Sequence, residues 1–546
     1  MKFKFFAVIA AFILMPFVMK AAEITVNDAS INPGEVVTWT NDNVYILNGF
    51  VFVEDGAVLN IQAGTVIKGK HGEAESASAL IVARGGKIYA EGTADNPIIF
   101  TFEDDDPHSL TDMPIDASGR WGGVIILGKA SVNTTGGVAQ IEGIPSSEPR
   151  GEFGGGENPN DDDNSGVFRY VSIRHGGTNI GANNEINGLT MGGVGRGTTI
   201  DHVEVWYNDD DGFEWFGGTV NCSHLVSAFN ADDSFDHDFG YTGTNQFLFS
   251  IQSPDQGNHG AECSSNSENA DAQPVANPIF FNCTFIGSGV NSGNSKSEAF
   301  DLKDATAGMW RNNVFTDFSG SKSFQIEDKP SGTDSRARLE AGELTVQNNI
   351  WWGFKNGNNE AGIAPDQDFA QAYLTNPANN NHIIDPMLRS IDRDQNGMLD
   401  PRPQPESPCY TTPAAQAPLG NSFLRPANYI GAFDSDLWIA GWTFLQSANI
   451  LSVPQRIEET VTGETMAAWP NPTSGNSEIR FSVAAPGYVT LSVYNMLGEK
   501  VDEISAGSLG AGNYSVSWNA TDLGAGMYII VKESATGAET LRVVVK

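Results

Sequence analysis

The chain has 546 residues, with 31 basic and 67 acidic side chains and a formal net charge of −36. This acidity disfavours nucleic acid as a partner, because neutralising phosphates requires Lys and Arg, whereas hard divalent cations take oxygen ligands of the kind that carboxylates supply. The 60 glycines and closely spaced turn residues are typical of many short strands, and four cysteines are too few for a disulfide-stapled scaffold.

The first segment, MKFKFFAVIAAFILMPFVMKAAEITV, has the pattern of a targeting sequence. Two lysines precede an apolar run from Phe5 to Val18, and Ala21 and Ala22 follow it. This order predicts a secretory signal peptide over residues 1–22. A transmembrane anchor is the alternative, although the run is short for a bilayer span. No later segment is apolar enough to span a membrane, so we expect a secreted or cell-surface protein.

Three stretches between residues 79 and 177 each pair a β-rich run with glycine turns. They are ALIVARGGKIYAEGTADNPIIFTF (79–102), GRWGGVIILGKASVN (119–133) and GVFRYVSIRHGG (166–177). These stretches resemble the opening coils of secreted bacterial β-helix proteins, the pectate-lyase-like superfamily in the broad sense. The resemblance implies a right-handed parallel β-helix over residues 23–355.

A short phrase recurs further along the chain. Each copy has a small residue, usually an apolar one, then an acidic or amide one, followed by a turn and a strand with alternating apolar residues. The copies start at Gly212, Ser234, Gly260, Ala299 and Ser323, at steps of 22, 26, 39 and 24 residues. This period fits one coil of a parallel β-helix, with successive coils about 4.8 Å apart. A β-propeller is the alternative, but its blades need about 40–45 residues.

Stacked coils would place the third position of each phrase in one column. Carboxylates about 5 Å apart repel by about 1 kcal/mol even in water. A calcium ion shared between coils would offset this repulsion; protonation of some members, as in glycan-cleaving carboxylates, and exposure with hydrogen bonds to loop backbone are the alternatives. The column contains Glu214, Asp236, Glu262, Asp301 and Gln325. The predicted calcium ligands of this region are Asp210, Asp211, Glu214, Asp236, Asp238 and Glu262.

A paired carboxylate and a downstream histidine lie beside this column. Asp232 and Asp233, with His259 in GNHGAE, resemble the polygalacturonase family, in which paired aspartates and a Gly-His-Gly stretch share one β-helix groove. The resemblance implies that these three residues are catalytic, one acid protonating the glycosidic oxygen and others activating water. The family's Arg-Ile-Lys motif is missing. TIDHVEV is similar to a segment of pectate lyases. A lyase needs a strong base, however, and candidates for that role are lacking, because basic residues are scarce from 197 to 295.

Aromatic side chains near the column are candidates for substrate contact. Trp206 and Trp215 could form a platform on which sugar rings stack, and His237 lies next to the column. The alternative is that the aromatic residues belong to the core. Whether the chain is an enzyme therefore stays open: it could bind extracellular polysaccharide, cleave it, or serve as a structural surface protein.

The segment DRDQNGMLD is a second candidate calcium site. Asp392, Asp394, Asn396 and Asp400 fall at positions 1, 3, 5 and 9 of an EF-hand-type loop, with Gly397 at the turn position. Position 12 is a proline rather than the usual glutamate. We expect weak calcium binding here, with an ordinary Asx turn as the alternative.

The coils end near residue 355, and residues 356–446 are expected to cap the β-helix. FAQAYL predicts a short helix. The aromatic stretch YIGAFDSDLWIAGWTFLQ (429–446) is expected to cover the open end, because a bare terminal coil would expose an edge. Residues 447–466 have the composition of a linker.

The last 80 residues, 467–546, read as a separate antiparallel β-sandwich, since apolar residues alternate along VTLSVYNM and turns recur. They closely resemble the C-terminal sorting domain of the type IX secretion system of Bacteroidota, through Pro470-Asn471-Pro472, Gly498, the LGAGMY turn and the basic last strand. The resemblance implies the type IX secretion machinery as partner, followed by release or surface attachment. A carbohydrate-binding sandwich is the alternative.

Overall fold

A computed structural model describes residues 21–181, 184–453, 455–457, 466–521 and 523–546. Residues 1–20 of the predicted signal peptide, and residues 454 and 458–465 of the predicted linker, lie outside this set. None of the helices in the described ranges is long and apolar enough to cross a membrane.

Strands between residues 22 and 383 form a parallel β-helix, which confirms the predicted fold class. Each coil contributes up to three short strands, and equivalent strands pair in parallel along three stacks. The first stack contains Val36–Trp39, Val58–Ile61, Lys87–Glu91, the first parts of Gly166–Arg174, Thr199–Trp206 and Asn221–Ala228, then Thr244–Gln246, Ile279–Phe281, Gly308–Arg311 and Leu344–Gln347. The second contains Ala22–Val26, Asn43–Leu47, Val66–Gly69, Ile98–Phe102, the second parts of the three long strands, then Phe249–Ile251, Thr284–Ile286, Val314–Phe318, Ile350–Phe354 and His382–Ile383. The third contains Phe50–Val53, Ala79–Val82, Val124–Leu127, Leu189–Gly192, Phe213–Phe216, Phe235–Asp238, His259–Cys263, Glu298–Leu302 and Phe324–Ile326.

The predicted layering of the repeated phrase is confirmed. Phe213 pairs in register with Phe235, their ring centroids 5.5 Å apart, and Phe300 pairs with Phe324. These rings point into a continuous apolar core. Because side chains alternate between the two faces of a strand, the acidic residue that follows each ring must point outward. All four cysteines are buried and free.

Two short helices pack at the C-terminal end of this core. Glu360–Ile363 and Asp368–Thr375 contribute Ile363, Ala370 and Leu374 to it, and the second helix contains the predicted FAQAYL. Strand pairing continues to His382–Ile383, beyond the expected boundary at residue 355. The other α-helices in the described ranges are Ser335–Ala341, Pro408–Thr411 and Phe444–Ser447. The two-stranded sheets in these ranges are Ala139–Gln140 with Glu152–Phe153, Asn179–Gly181 with Asn184–Glu185, and Leu388–Ser390 with Asp400–Pro403.

The aromatic stretch 429–446, which we call the covering segment, lies elsewhere than expected. It packs on the outer side of the second stack, where Phe433, Trp442 and Phe444 bury the outward side chains of Trp206 and Phe249. The expectation that this stretch covers the open end is therefore wrong. The physical reason is that several middle coils carry apolar residues on both faces of the second stack, so their outer face also requires cover.

The C-terminal region folds as the predicted antiparallel sandwich. One sheet contains Gln455–Ile457, Gly512–Asn519, Asn476–Val483 and Met466–Trp469. The other contains Lys500–Leu509, Gly487–Tyr494, Gly526–Ser534 and Gly537–Val545. The two sheets enclose a separate apolar core, as alternating strands with one buried face require.

Candidate functional site

The outer face of the third stack carries three parallel columns of polar side chains, which we call the acidic grid. Its middle column is the predicted one: the register pairs Glu214 with Asp236, Asp236 with Glu262, Glu262 with Asp301, and Asp301 with Gln325. The column on one side contains Asp211, Asp233, His259 and Glu298, and the column on the other contains Asp238, Ser264 and Lys303.

The grid begins where an apolar cover ends. In earlier coils the middle column is apolar, with Ile81 and Ile125, and these side chains pack beneath Ile141 and Phe153 of a small hairpin. Thr190 follows Ile125 in register, and Glu214 follows Thr190. From there the column is charged, and Asp236 and Asp301 are partly exposed.

Asp233 and His259 form the centre of the grid. The Nδ1 atom of His259 lies 3.0 Å from Asp233 Oδ1 and 3.4 Å from Glu262 Oε2, and its Nε2 atom lies 3.9 Å from Glu298 Oε2. The backbone N–H of His259 also donates to Asp233 Oδ1, at 2.5 Å. Burial alone would lower the pKa of His259, but the charge of Asp233 and its hydrogen bond raise it to about 9. His259 therefore carries a proton among three carboxylates at neutral pH.

A lysine provides the other positive charge of the grid. Lys303 Nζ donates to Glu262 Oε1, and the charges of Glu262 and Asp236 raise the pKa of Lys303 despite its burial. Glu298 is held by the backbone N–H of Lys322 at 3.1 Å and by the side-chain amide of Gln325. The far end of the grid is thus partly neutralised, whereas its near end has no equivalent basic group among the described residues.

Carboxylates in the grid greatly outnumber basic groups. Burial raises the pKa values of Asp211, Glu214 and Asp236 well above their usual range, and the negative charges of neighbouring carboxylates raise them further. Burial also raises the pKa of Asp233 to about 6, although the charge of His259 opposes it. These groups therefore hold protons more tightly than free carboxyls, or need a cation in place of the proton. The eight carboxylates are those of Asp211, Glu214, Asp233, Asp236, Asp238, Glu262, Glu298 and Asp301, against His259 and Lys303.

Oxygen atoms at the near end of the grid converge closely enough to share an ion. Ligand atoms of Asp211, Glu214 and Asp236 lie within 4.8 Å of one another, as do those of Asp210, Asp211 and Asp232. Asn187 is 1% exposed, and its amide Nδ2 donates to Glu214 Oε2, while its Oδ1 has no donor among the residues that the structure describes. Asp236 Oδ1 also lacks a donor. Buried oxygens without donors fit a hard cation such as Ca²⁺.

Three predicted substrate contacts are wrong. Trp215 and His237 are fully buried and point into the core of the β-helix, because they occupy inward positions two residues after Phe213 and Phe235. The Nδ1–H of His237 donates to the Ser264 carbonyl, 3.0 Å away, and burial lowers the pKa of His237 to about 4. Trp206 faces outward but lies beneath the 429–446 segment, with its Nε1 donating to Ile115 O at 3.1 Å.

The residues of the predicted EF-hand-type loop make turn contacts and an ion pair in the structure. Asp392 Oδ1 accepts the backbone N–H of Asp394 at 2.8 Å, which is the Asx-turn alternative. Asp400 forms a bidentate pair with Arg402 at 2.8 and 2.7 Å, so its charge is already neutralised. Asn396 Nδ2 donates to Asp392 Oδ2 at 3.1 Å. Asp392 and Asp400 thus direct oxygens to the turn and to arginine, whereas Asn396 Oδ1 has no donor among the described residues. Calcium binding by this loop stays a prediction.

Glu298 and Lys303 belong to the grid but were missed as site residues. The signal was present in the sequence, because the residue that precedes each copy of the phrase is Asp211, Asp233, His259 and Glu298 in turn. These positions form a second column only if the phrase stacks in register, which the pairing of His259 with Glu298 confirms.

Comparison with known families gives two matches. A profile described as "Pectate-lyase like beta helix domain" matches residues 31–382, and one described as "Secretion system C-terminal sorting domain" matches residues 467–546. The search of curated proteins finds no match. The first match spans more than half of the chain and includes the whole acidic grid; the second confirms the sorting domain.

Proposed function

The chain belongs to the pectate-lyase-like β-helix family and carries a type IX sorting domain that marks it as secreted or cell-surface, and we propose that its acidic grid binds Ca²⁺ and, through it, extracellular polysaccharide. The observation that carries this proposal is the excess of grid carboxylates over basic groups, with buried oxygens that lack donors. An exported protein meets calcium-rich surroundings, where such a grid can exchange its protons for metal.

The near end of the grid is the better calcium site. Asp211, Glu214 and Asp236, with the amide oxygen of Asn187, supply only oxygen ligands, which Ca²⁺ prefers. At the centre, the proton on His259 competes with a metal for Asp233 and Glu262. We therefore place the calcium between the coils that start at Gly212 and Ser234.

Polysaccharide is the partner class that suits this surface. A bound Ca²⁺ that keeps open coordination positions can take sugar hydroxyl or carboxylate oxygens, since it accepts 6–8 ligands. Without the metal, the negative field of the grid would repel an anionic glycan. Ion and hydrogen-bond contacts must carry the binding, because Trp206 and Trp215 are buried elsewhere.

Calorimetric titration of the purified chain with Ca²⁺ tests the metal, and binding to immobilised acidic and neutral glycans with calcium or with EDTA tests the partner. We expect heat of binding and a higher melting temperature with Ca²⁺, and glycan retention that EDTA abolishes. Glu214→Gln should lose both, whereas Asp104→Asn, an exposed site outside the grid, should lose neither. No heat and no thermal shift would overturn the proposal and favour a purely structural surface protein.

Polysaccharide cleavage is a second candidate, favoured by the Asp233–His259 pair. A carboxyl group whose pKa is about 6 can donate a proton to a glycosidic oxygen near neutral pH, and a neighbouring ionised carboxylate can activate water. Reducing-end assays on acidic and neutral glycans test it. Asp233→Asn should abolish turnover while Asp104→Asn preserves it; equal turnover in both variants would exclude the pair as the catalytic machinery.

A further inference from the structure

Lysine side chains are concentrated at the far end of the acidic grid. Lys303 lies two residues after Asp301 and therefore points to the same outer face of the third stack. Glu327 continues the column of Lys303 one coil later, because the residues that precede them pair in register. The Nζ atom of Lys329 lies 2.5 Å from Glu327 Oε1. The far end of the grid thus carries its own positive charges.

The ammonium group of Lys303 lies among four carboxylates from three successive coils. It donates to Glu262 Oε1, and its side chain is 36% exposed. Burial alone would lower the pKa of Lys303, but the charges of Glu262, Asp236 and Asp301 raise it. Burial raises the pKa values of Asp236, Asp238 and Asp301, and the charge of the lysine opposes that rise in each. One side chain therefore compensates carboxylates in its own coil and in the two coils before it.

The near end of the grid has donors of a different kind. Asp211 Oδ1 accepts the backbone N–H of Asp233 at 2.9 Å, and Glu214 Oε2 accepts the side-chain amide of Asn187. Neither donor carries a charge, so these hydrogen bonds leave the negative charge of both carboxylates in place. A lysine ammonium group and Ca²⁺ are both compact cations that take oxygen atoms as partners, and the two ends of the grid differ in whether the chain itself supplies the cation.

We propose that Lys303 is a built-in counter-cation that fills a second cation position of the acidic grid and limits the grid to one Ca²⁺, bound at its near end. This inference rests on the calcium binding proposed above and names the residue that sets its stoichiometry. The carboxylates around Lys303 are the ligand type that Ca²⁺ prefers, and Asp236 Oδ1 has no donor among the described residues. The ammonium group excludes a metal ion from this position, because like charges repel and it already occupies an oxygen of Glu262.

A single calcium position would define where a glycan is held. Carboxylates of the middle column recur at the coil spacing of about 4.8 Å, so an uncompensated column could hold cations at more than one step. With Lys303 in place, the open metal position lies between the coils that start at Gly212 and Ser234. We therefore assign Lys303 as the residue that marks the far boundary of the metal-binding surface.

Calorimetric titration of the full chain with Ca²⁺ alone tests the assignment through the number of ions bound. Wild type should bind one Ca²⁺ per chain, and Lys303→Met, which keeps an unbranched side chain without the charge, should bind two. Lys303→Arg keeps the charge and should bind one. Lys322→Met makes the same chemical change as Lys303→Met at an exposed position and should also bind one. In EDTA, Lys303→Met should melt below wild type, because the carboxylates around it lose their counter-cation, and Ca²⁺ should restore the difference.

The combination of wild type and variant separates this inference from the proposed function. One Ca²⁺ in both, with equal affinity, would overturn the role of Lys303 and leave calcium binding by the grid intact. No Ca²⁺ in wild type but one in Lys303→Met would overturn the near-end site and support the role of Lys303, whereas no binding in either would overturn both. If Lys303→Met fails to fold, Glu262→Gln decides. It should bind one Ca²⁺ as tightly as wild type, because Glu262 is committed to the lysine, and loss of the ion would identify Glu262 as a metal ligand and overturn the inference.

Discussion

Asp236→Asn should make the calcium-free protein more stable and the calcium-bound protein less so. Asp236 lies in register between Glu214 and Glu262, one coil away on either side. Burial and the charges of Asp238 and Glu262 raise its pKa well above the usual range, so the ionised form is destabilised in the folded state. The asparagine keeps the shape of the side chain and removes the charge.

The size of the effect follows from the coil spacing. Two unit charges about 4.8 Å apart repel by about 1 kcal/mol in water and by about 3 kcal/mol at an effective dielectric constant of 20. Lys303 offsets part of this repulsion, and protonation relieves more of it at neutral pH. We expect a gain of about 1–3 kcal/mol for the variant in EDTA at pH 8, where more of the grid is ionised.

Thermal unfolding in EDTA and in Ca²⁺ measures both halves of the prediction. Ca²⁺ should raise the melting temperature of the wild type. Asp236→Asn should have a higher melting temperature than wild type in EDTA, and Ca²⁺ should raise it by less. Asp104→Asn makes the same chemical change at an exposed site outside the grid and should match wild type in both buffers. A variant that is less stable in EDTA, or that gains as much from Ca²⁺ as wild type, would refute the repulsion argument.

Three further predictions concern pH, the covering segment and the thiols. In EDTA the melting temperature should fall as the pH rises from 4 to 6. The pKa of Asp233 is about 6 in the folded state, above its usual value, so ionisation of this group lowers the free energy of unfolding by about 3 kcal/mol. Stability that rises over this range would contradict the assignment. Glu204→Ala should make proteolysis of the covering segment faster, because Glu204 accepts hydrogen bonds from the N–H groups of Phe444 and Leu445 at 2.7 and 3.2 Å, and each buried N–H left unpaired costs roughly 1–3 kcal/mol. Glu204→Gln should restore part of the protection. Equal cleavage of wild type and both variants would contradict a role for Glu204 in holding this segment. A thiol reagent at pH 8 should label none of the four cysteines until the chain unfolds, since burial raises the pKa of Cys222 to about 12 and of Cys409 to about 11; labelling of the native protein would contradict their burial.

The middle column of the grid was predictable because one apolar position fixes the register. Phe213 and Phe235 must enter the core, and a slip by one residue would turn every side chain of the strand to the wrong face. Glu214 and Asp236 then have to stack outside. The same logic would have placed Trp215 and His237 inside, two residues further along, where the structure has them.

The covering segment could not be placed from the sequence. Its partners, Trp206 and Phe249, are apolar residues on the outward side of the second stack. The sequence of a coil does not distinguish an aromatic residue that is buried in the core from one that forms an exposed platform. Contacts of this kind join positions more than 200 residues apart, such as Glu204 with Phe444. No local pattern records such a pairing, because it depends on which face of the assembled coil remains apolar.

The change of character along the third stack argues for a partner that is not part of the chain. Where the middle column is apolar, at Ile81 and Ile125, a hairpin of the same chain buries it. Where the column becomes acidic, at Glu214 and Asp236, the fold accepts repeated like-charge contacts that it would avoid with the threonine seen at residue 190. Selection for stability alone would favour neutral residues at these outward positions. Repulsion in the bare grid fits the calcium binding proposed above, because relief of that repulsion by a bound cation would add to the affinity for the ion.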